Sequence, residues 1–330
     1  MTVAVMFAGV DIGGTGVKVG VVTSEGVVVA RDQENYHPEK HEPQDVVDLA
    51  VSVLQKVLKT VRPRALQWRR VIALLTVIVV HTCWLSQTHL GLGDLEAVGV
   101  GCPGVLEAGG VIHAAANFPS WSDVPLQQLF TDTLGRPVTV CNDADAAILA
   151  EQWVGTAKGG IKDFIMLTLG TGVGFGVVAN GELVRGGSNA IEGGHMIVER
   201  NGRPCGCSQR GCLEAYSSAG ALMGQVQEHL RAGRDSSLAN YSEADINVEF
   251  VFKHAAEGDE LCKHLIEELI VLSGGIAEAG ETYIEQIRRA YAKHTWTKFP
   301  NPVRIEKASA GYDSGIIGAA AVCKNQRKGQ

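Results

Sequence analysis

Residues 7–22 read FAGVDIGGTGVKVGVV and residues 164–178 read FIMLTLGTGVGFGVV. Each is an apolar run, a Gly/Thr turn, and a second apolar run ending in Gly-Val-Val. The run over 5–12 is continuously apolar up to Asp11, which is how a strand covered on both faces reads. After its turn come VKVGVV and then, past Ser24-Glu25-Gly26, VVVA. The segment is therefore a meander of hairpins. A Rossmann or P-loop site needs its glycine loop to open a helix. Here the loop opens a strand, and neither G-x-G-x-x-G nor G-x-x-x-x-G-K-[ST] stands in that context. The same order of elements returns about half a chain later, which predicts two related lobes arising by duplication. The alternative is a chance likeness between two glycine-rich hairpins.

The rest of the chain agrees with an α/β protein. Its 330 residues predict two domains, and 45% hydrophobic with 20% charged residues is ordinary globular composition. The formal charge of −7 lacks the basic footprint of a nucleic-acid binder. Glycine is abundant, 40 residues, and gathers in short loops where backbone must approach a ligand closely. The N-terminus has no basic region before its apolar run and does not read as a signal peptide. Residues 43–60 have helical spacing, 95–104 and 136–143 read as strands ending in a turn or in polar residues, and 144–155 reads as a helix with a glycine stop. Asn180-Gly181 is a hairpin signal.

Four groups of residues carry chemistry. The turn Asp11-Ile12-Gly13-Gly14-Thr15 offers converging backbone N–H groups and a hydroxyl to phosphate oxygens, and Asp11 is placed to hold Mg²⁺ directly or through water. The turn over 169–174 (LGTGVG) is a second such cradle. Asn142-Asp143 ends a strand and opens a helix. Asp143 can accept a proton from a hydroxyl nucleophile, or it can be an N-cap of that helix, and the sequence leaves both open. Finally His195, Cys205, Cys207 and Cys212 supply the one nitrogen and three sulfurs of a closed tetrahedral zinc site. Gly206 and Gly211 allow the tight turns it needs. A Cys205–Cys207 disulfide would close too short a loop, and a reducing, cytoplasmic setting is expected. Glu192 and Glu214 flank the cluster, so a rigid metal centre can hold both carboxylates at a ligand. The remaining cysteines read as small core residues.

DIGGT, the Asn-Asp at 142–143, LGTGVGFG, EGGH and CGCSQRGCLE together resemble the ROK family of bacterial-type sugar kinases, in the actin/hexokinase/Hsp70 superfamily. The resemblance covers residues 7–60, 94–258 and 269–323. It implies a two-lobed, actin-like (ribonuclease H-like) fold with a cleft between lobes at 1–142 and 143–330, the last helix packing back on the first lobe. It implies ATP-dependent phosphorylation of a hexose, glucose first, with N-acetylmannosamine or N-acetylglucosamine as alternatives. Asp143 becomes the base for the 6-hydroxyl of the sugar. Asn117, Asn142, Glu192, His195 and Glu214 become sugar contacts. Asp11, Gly13, Gly14, Thr15, Thr171 and Gly172 serve the Mg²⁺ and ATP phosphates, and Gly274, Gly275 and residues 315–320 line the adenosine. His195 would serve zinc through one ring nitrogen and sugar through the other. The expected partners are the small-molecule sugar and a second copy of the chain in a homodimer. A membrane is not expected. A ROK-type repressor is disfavoured, because those proteins carry about 80 residues of helix-turn-helix ahead of the first turn and only ten residues precede Asp11.

Two smaller departures from the family pattern are Ser208, where glycine is usual, and Phe175 within the second glycine turn. Two are larger. Residues 62–93 stand where the family has a short loop. Their apolar strip of at most 15 residues is too short to span a bilayer, and the stretch reads as a foreign insertion, of the kind a retained intron leaves, with a real membrane- or partner-binding loop as the alternative. Near residue 268 a helical pattern runs directly into a strand pattern, where about 20 residues of helix are expected. The chain as written is therefore expected to bind sugar but to be impaired as a kinase.

Overall fold

The computed structural model describes residues 5–37, 40–61, 89–115, 118–185, 191–268, 281–295 and 303–328. Most of the 62–93 stretch, and the expected helix-to-strand junction at 269–280, lie outside these residues. The chain divides into two compact units: residues 1–160, 185–190 and 310–330 in one, and 161–184 with 191–309 in the other.

The first unit is built on β1 (Met6–Ile12), β2 (Gly16–Thr23), β3 (Val28–Asn35), α1 (Pro43–Thr60), β4 (Ala97–Cys102), β5 (Val105–Glu107), β6 (Val111–Ala115), β7 (Phe118–Val124), α2 (Leu126–Leu134), β8 (Val138–Asn142) and α3 (Asp143–Trp153). Its main sheet runs β3-β2-β1-β4-β8. The β1–β2–β3 meander is antiparallel, and β1, β4 and β8 are parallel to one another. A smaller antiparallel sheet, β5-β6-β7, lies beside it in sequence. Strand alternation sorts the two faces of the main sheet. Ala8, Val10, Ile12, Val17, Val19 and Val21 are buried with the apolar face of α1 (Val46, Val47, Ala50, Val53, Leu54, Val57). Phe7 and Val22 face the other way, against Ile316, Ala320 and Cys323 of the C-terminal helix (Ser314–Lys328). Both faces are covered, which is why β1 reads as an unbroken apolar run.

The C-terminal helix lies directly on sheet backbone. Gly9 pairs in register with Gly20 on β2 and with Gly99 on β4. A Cβ on Gly9 would collide with the carbonyl of Ile316, and one on Gly99 with that of Ala319. On the same helix, a Cβ on Gly318 would strike the carbonyl of Ala146 in α3. α3 is buried along most of its length, from Ala144 through Glu151, and so belongs to this unit. Its Glu151 carboxylate accepts from the N–H groups of Thr156 (2.7 Å) and Ala310 (2.5 Å), tying down the approach to the C-terminal helix. Gly99→Ala is expected to displace that helix at a cost of about 1–3 kcal/mol. Thermal denaturation should read this as a fall of about 2–10 °C.

The second unit comprises β9 (Phe164–Leu169), β10 (Val173–Ala179), β11 (Glu182–Leu183), α4 (Glu214–Ser217), α5 (Ala219–Arg231), α6 (Val248–Ala256), α7 (Glu260–Glu268) and α8 (Glu281–His294). Its sheet is antiparallel, β11-β10-β9. Asn180 and Gly181 have φ of +54° and +86°, the left-handed pair that a two-residue hairpin turn requires. Leu167, Leu169, Leu222, Val226, Leu238, Val251, Leu265 and Ile284 form the core. The repeats at 7–22 and 164–178 are both antiparallel hairpins, closed by turns of four (13–16) and three (170–172) residues. Beyond them the units differ: a five-stranded mixed sheet in one, and a three-stranded antiparallel sheet among the described residues of the other. Cys102, Cys141, Cys262 and Cys323 are buried in core positions. Among the described residues no helix is long and apolar enough to cross a membrane.

Candidate active site

In the first unit the candidate residues gather at the carboxyl ends of β1, β4 and β8, the edge at which open α/β sheets bind ligands. Asp11 pairs across strands with Lys18 on β2 and Gly101 on β4, and Cys102 pairs with Asn142 on β8. Burial pushes the Asp11 carboxyl up to about 6. Lys18 works against that rise, and the nearby Asp143 charge adds to it. Gly315, in the first turn of the C-terminal helix, abuts this carboxylate, and any side chain there would occupy its place.

The turn after β1 is held from behind by Tyr36. The Tyr36 hydroxyl donates to the Gly13 carbonyl, and its backbone N–H donates to the Thr15 carbonyl (3.1 Å). In a trans peptide the N–H points opposite to the C=O. Fixing the Gly13 carbonyl backward therefore turns the Gly14 N–H outward, as an anion-binding turn requires. Tyr36 is buried and stacks on Phe118, and burial raises its phenol above the ordinary range.

The capping role weighed for Asp143 falls to its neighbour. Asn142 is the N-cap of α3. Its Oδ1 accepts from the Ala144 N–H (2.8 Å), and its Nδ2 donates to the Gly104 carbonyl (3.1 Å). Asp143 is the first helical residue. It also accepts from the Ala144 N–H (2.9 Å) but remains open to solvent. The protein packed around it raises its carboxyl above the ordinary aspartate value, an effect the Ala144 N–H partly offsets.

In the second unit the turn at 170–172 is also held from behind. Ala219 and Gly220, at the start of α5, donate to the carbonyls of Gly170 (2.9 Å) and Thr171 (3.4 Å). Glu214 Oε2 accepts from the Val173 N–H (2.9 Å). Gly193 and Gly194 sit against the Phe175 ring and the Val173 carbonyl, where a Cβ would not fit. Phe175 thus packs under the Gly-Gly pair that carries the exposed Glu192 and the half-buried His195.

The four donors His195, Cys205, Cys207 and Cys212 lie within 4.8 Å of one another. Cys207 Sγ is 3.6 Å from Cys212 Sγ, and Cys205 Sγ is 3.6 Å from His195 Nδ1. A tetrahedral zinc with ordinary bond lengths implies separations of about 3.8 Å between sulfurs and about 3.6 Å between sulfur and nitrogen, so the donor set fits that ion. Nδ1 is the ring nitrogen facing the sulfurs, which leaves Nε2 for another partner. Ser208 has φ of +71°, the left-handed region that favours the glycine usual at this place in the motif.

Asn117, Gly274 and Gly275 lie outside the described residues. Tyr36 and the N-terminus of α5 were not legible as site components, and Gly315 was expected only within the adenosine-lining stretch 315–320, not against Asp11. Each acts on a residue far away in sequence, and none carries a local motif. The sequence did flag Glu214, but not its hold on the second turn.

A mixed sheet fed by an antiparallel meander, with glycine turns at strand ends and acids at the carboxyl edge, is the architecture of the actin-like superfamily. The chain belongs to the ROK family, whose defining sequence pattern matches residues 85–326. It is 29% identical to a glucokinase of Halalkalibacterium halodurans over 97% of this chain and 95% of that one. It is 31% identical to a glucokinase of Thermotoga maritima over 73% and 84%. Among solved structures it is similar to a ROK family glucokinase from Streptomyces griseus in complex with glucose and AMPPNP. That match has a TM-score of 0.75 and 25% identity, and covers 97% of this chain and 99% of the other.

Proposed function

We propose that this protein is an ATP-dependent hexose kinase that converts glucose to glucose 6-phosphate, with Asp143 as the general base. The observation that carries the reading is the division of labour at the start of α3. Asn142 takes the capping role, so the Asp143 carboxylate is available at the sheet edge that also carries Asp11 and the first glycine turn. A carboxylate with a raised pKa is a stronger base at neutral pH than an ordinary one. It takes the proton of the 6-hydroxyl as that oxygen attacks the γ-phosphoryl group in line, and ADP leaves.

The Gly13, Gly14 and Thr15 turn and the Thr171 and Gly172 turn each present backbone donors to phosphate oxygens. Asn117, Asn142, Glu192, His195 and Glu214 are the proposed sugar contacts, and Gly274 and Gly275 the proposed adenosine contacts. Mg²⁺, when bound with ATP, neutralises charge developing on the phosphates, and Asp11 is the residue assigned to it. A structural zinc on His195, Cys205, Cys207 and Cys212 completes the proposal.

The test is a panel of hexoses and N-acetylhexosamines assayed for ADP release, on the full 330-residue chain and on one lacking residues 62–93. Glucose is expected to give the highest kcat/KM, with more activity in the shortened chain. ADP release that ignores added sugar, or a preference for N-acetylmannosamine, would overturn the glucose reading. The pH profile follows from the two acids. Both must be ionised for turnover, and both have raised pKa values. Activity is therefore expected to be full above neutrality and to fall as pH drops through about 6, well above the ordinary aspartate range. The acid limb of kcat/KM for ATP reports it.

A further inference from the structure

We propose that Glu214 is a positioning residue that couples the Cys/His metal centre to the phosphate turn at 170–172, so that occupancy of the metal site sets nucleotide affinity. The inference rests on the reading of that turn as a phosphate cradle. The groups that hold the turn from behind come from one short stretch. Glu214 binds the Val173 N–H, and Ala219 and Gly220 bind the Gly170 and Thr171 carbonyls. All three follow Cys212 within eight residues. Cys212 is a member of the metal cluster, and its carbonyl accepts from the Ala215 N–H (3.0 Å), which fixes the start of α4.

The Glu214 carboxylate spans both sites. Oε2 is on the turn side, where a Cβ on Gly172 would meet it. Oε1 lies 3.5 Å from Cys205 Sγ and 3.9 Å from His195 Nδ1. With the Gly170 and Thr171 carbonyls drawn toward α5, the trans peptides turn the N–H groups of Thr171 and Gly172 the opposite way. These are the two donors of the turn that have no partner among the described residues. A metal ion that fixes Cys212 therefore fixes the short chain from which Glu214 holds the Val173 N–H and α5 holds the two carbonyls. Loss of the ion frees that chain at its Cys212 end.

The test uses full-length zinc-loaded protein, with titration calorimetry of Mg²⁺–AMPPNP in the absence of sugar, amide hydrogen exchange over 170–173, and zinc content as a control. Glu214→Ala is expected to weaken nucleotide binding about tenfold, the effect of one lost buried hydrogen bond, and to speed exchange at Val173. Glu214→Gln keeps an acceptor of the same reach and is expected to restore most of both. Glu214→Asp keeps the charge but falls short of the turn, and is expected to behave like alanine. Chelation of the wild-type metal should reproduce the faster exchange. Should the alanine variant fail to fold, the Gln–Asp pair carries the comparison. Unchanged exchange and affinity in the aspartate variant, with zinc retained, would overturn the coupling. If the wild-type protein binds no nucleotide, the kinase reading fails, while exchange at Val173 still decides the coupling.

Discussion

Asp143→Asn is expected to lower kcat by about a hundred- to ten-thousand-fold, the usual contribution of a general base, while glucose binding persists. The amide keeps the shape and can still accept from the Ala144 N–H, but it cannot take a proton. Stability should move the other way. The folded-state pKa of Asp143 is raised by the protein packed around it, so the native state holds its proton more tightly than the unfolded chain does. Its contribution to stability is most favourable in acid and declines as pH rises from the unfolded value through the folded one. At neutral pH the wild type carries a partly desolvated charge that asparagine lacks. The variant should therefore melt at or above the wild-type temperature at pH 7 to 8, with the margin vanishing in acid. Calorimetric glucose binding together with a melting curve at two pH values tests both halves. Retention of more than a tenth of wild-type kcat would remove Asp143 from the role of base.

Cys207→Ser, or removal of metal by a strong chelator, is expected to unfold the region around the cluster and to abolish sugar affinity with it. Between β11 and α5 the described chain has little regular structure of its own: a one-turn helix at Gly193–His195, isolated bridges Ile197–Cys212 and Pro204–Arg210, and the four-residue α4. Ser208 and Asn201 adopt left-handed backbone there, which costs each about 1–2 kcal/mol. Closing a tetrahedral thiolate site contributes about 10–16 kcal/mol in zinc-finger peptides, as much as the whole stability of an ordinary domain, about 5–15 kcal/mol. Elemental analysis should give one zinc per chain, and the serine variant should melt at least about 10 °C lower. Well-folded protein free of metal, or a serine variant with wild-type melting, would contradict the assignment.

Where the determining contacts are short-range, the sequence was legible. The hairpins at 6–23 and 164–179, the left-handed pair Asn180-Gly181, the helix at 43–60 and the Cys/His cluster all depend on residues no more than 17 positions apart. The two acids were visible as candidates for the same reason: each ends an apolar strand. What the sequence could not weigh was the competition between Asn142 and Asp143 for the cap. Both side chains reach the same Ala144 N–H, and only the backbone conformation at Asn142 (φ −65°, ψ 150°) makes it the capping residue and leaves Asp143 as the helix's first residue.

By itself, then, the sequence determined the local pieces: which segments pair as hairpins, which turns can cradle an anion, and which side chains can ligate a metal. These follow from side-chain periodicity, glycine conformational freedom and ligand spacing, all short-range. Tertiary structure decided the strand order β3-β2-β1-β4-β8, the seating of the C-terminal helix on Gly9 and Gly99, the hold of Tyr36 on Gly13, and the reach of Glu214 to Val173. Apart from the β1–β2–β3 meander within that order, each of these joins residues at least 23 apart. Such contacts depend on which faces meet once the apolar surfaces are buried, and no local pattern carries that information.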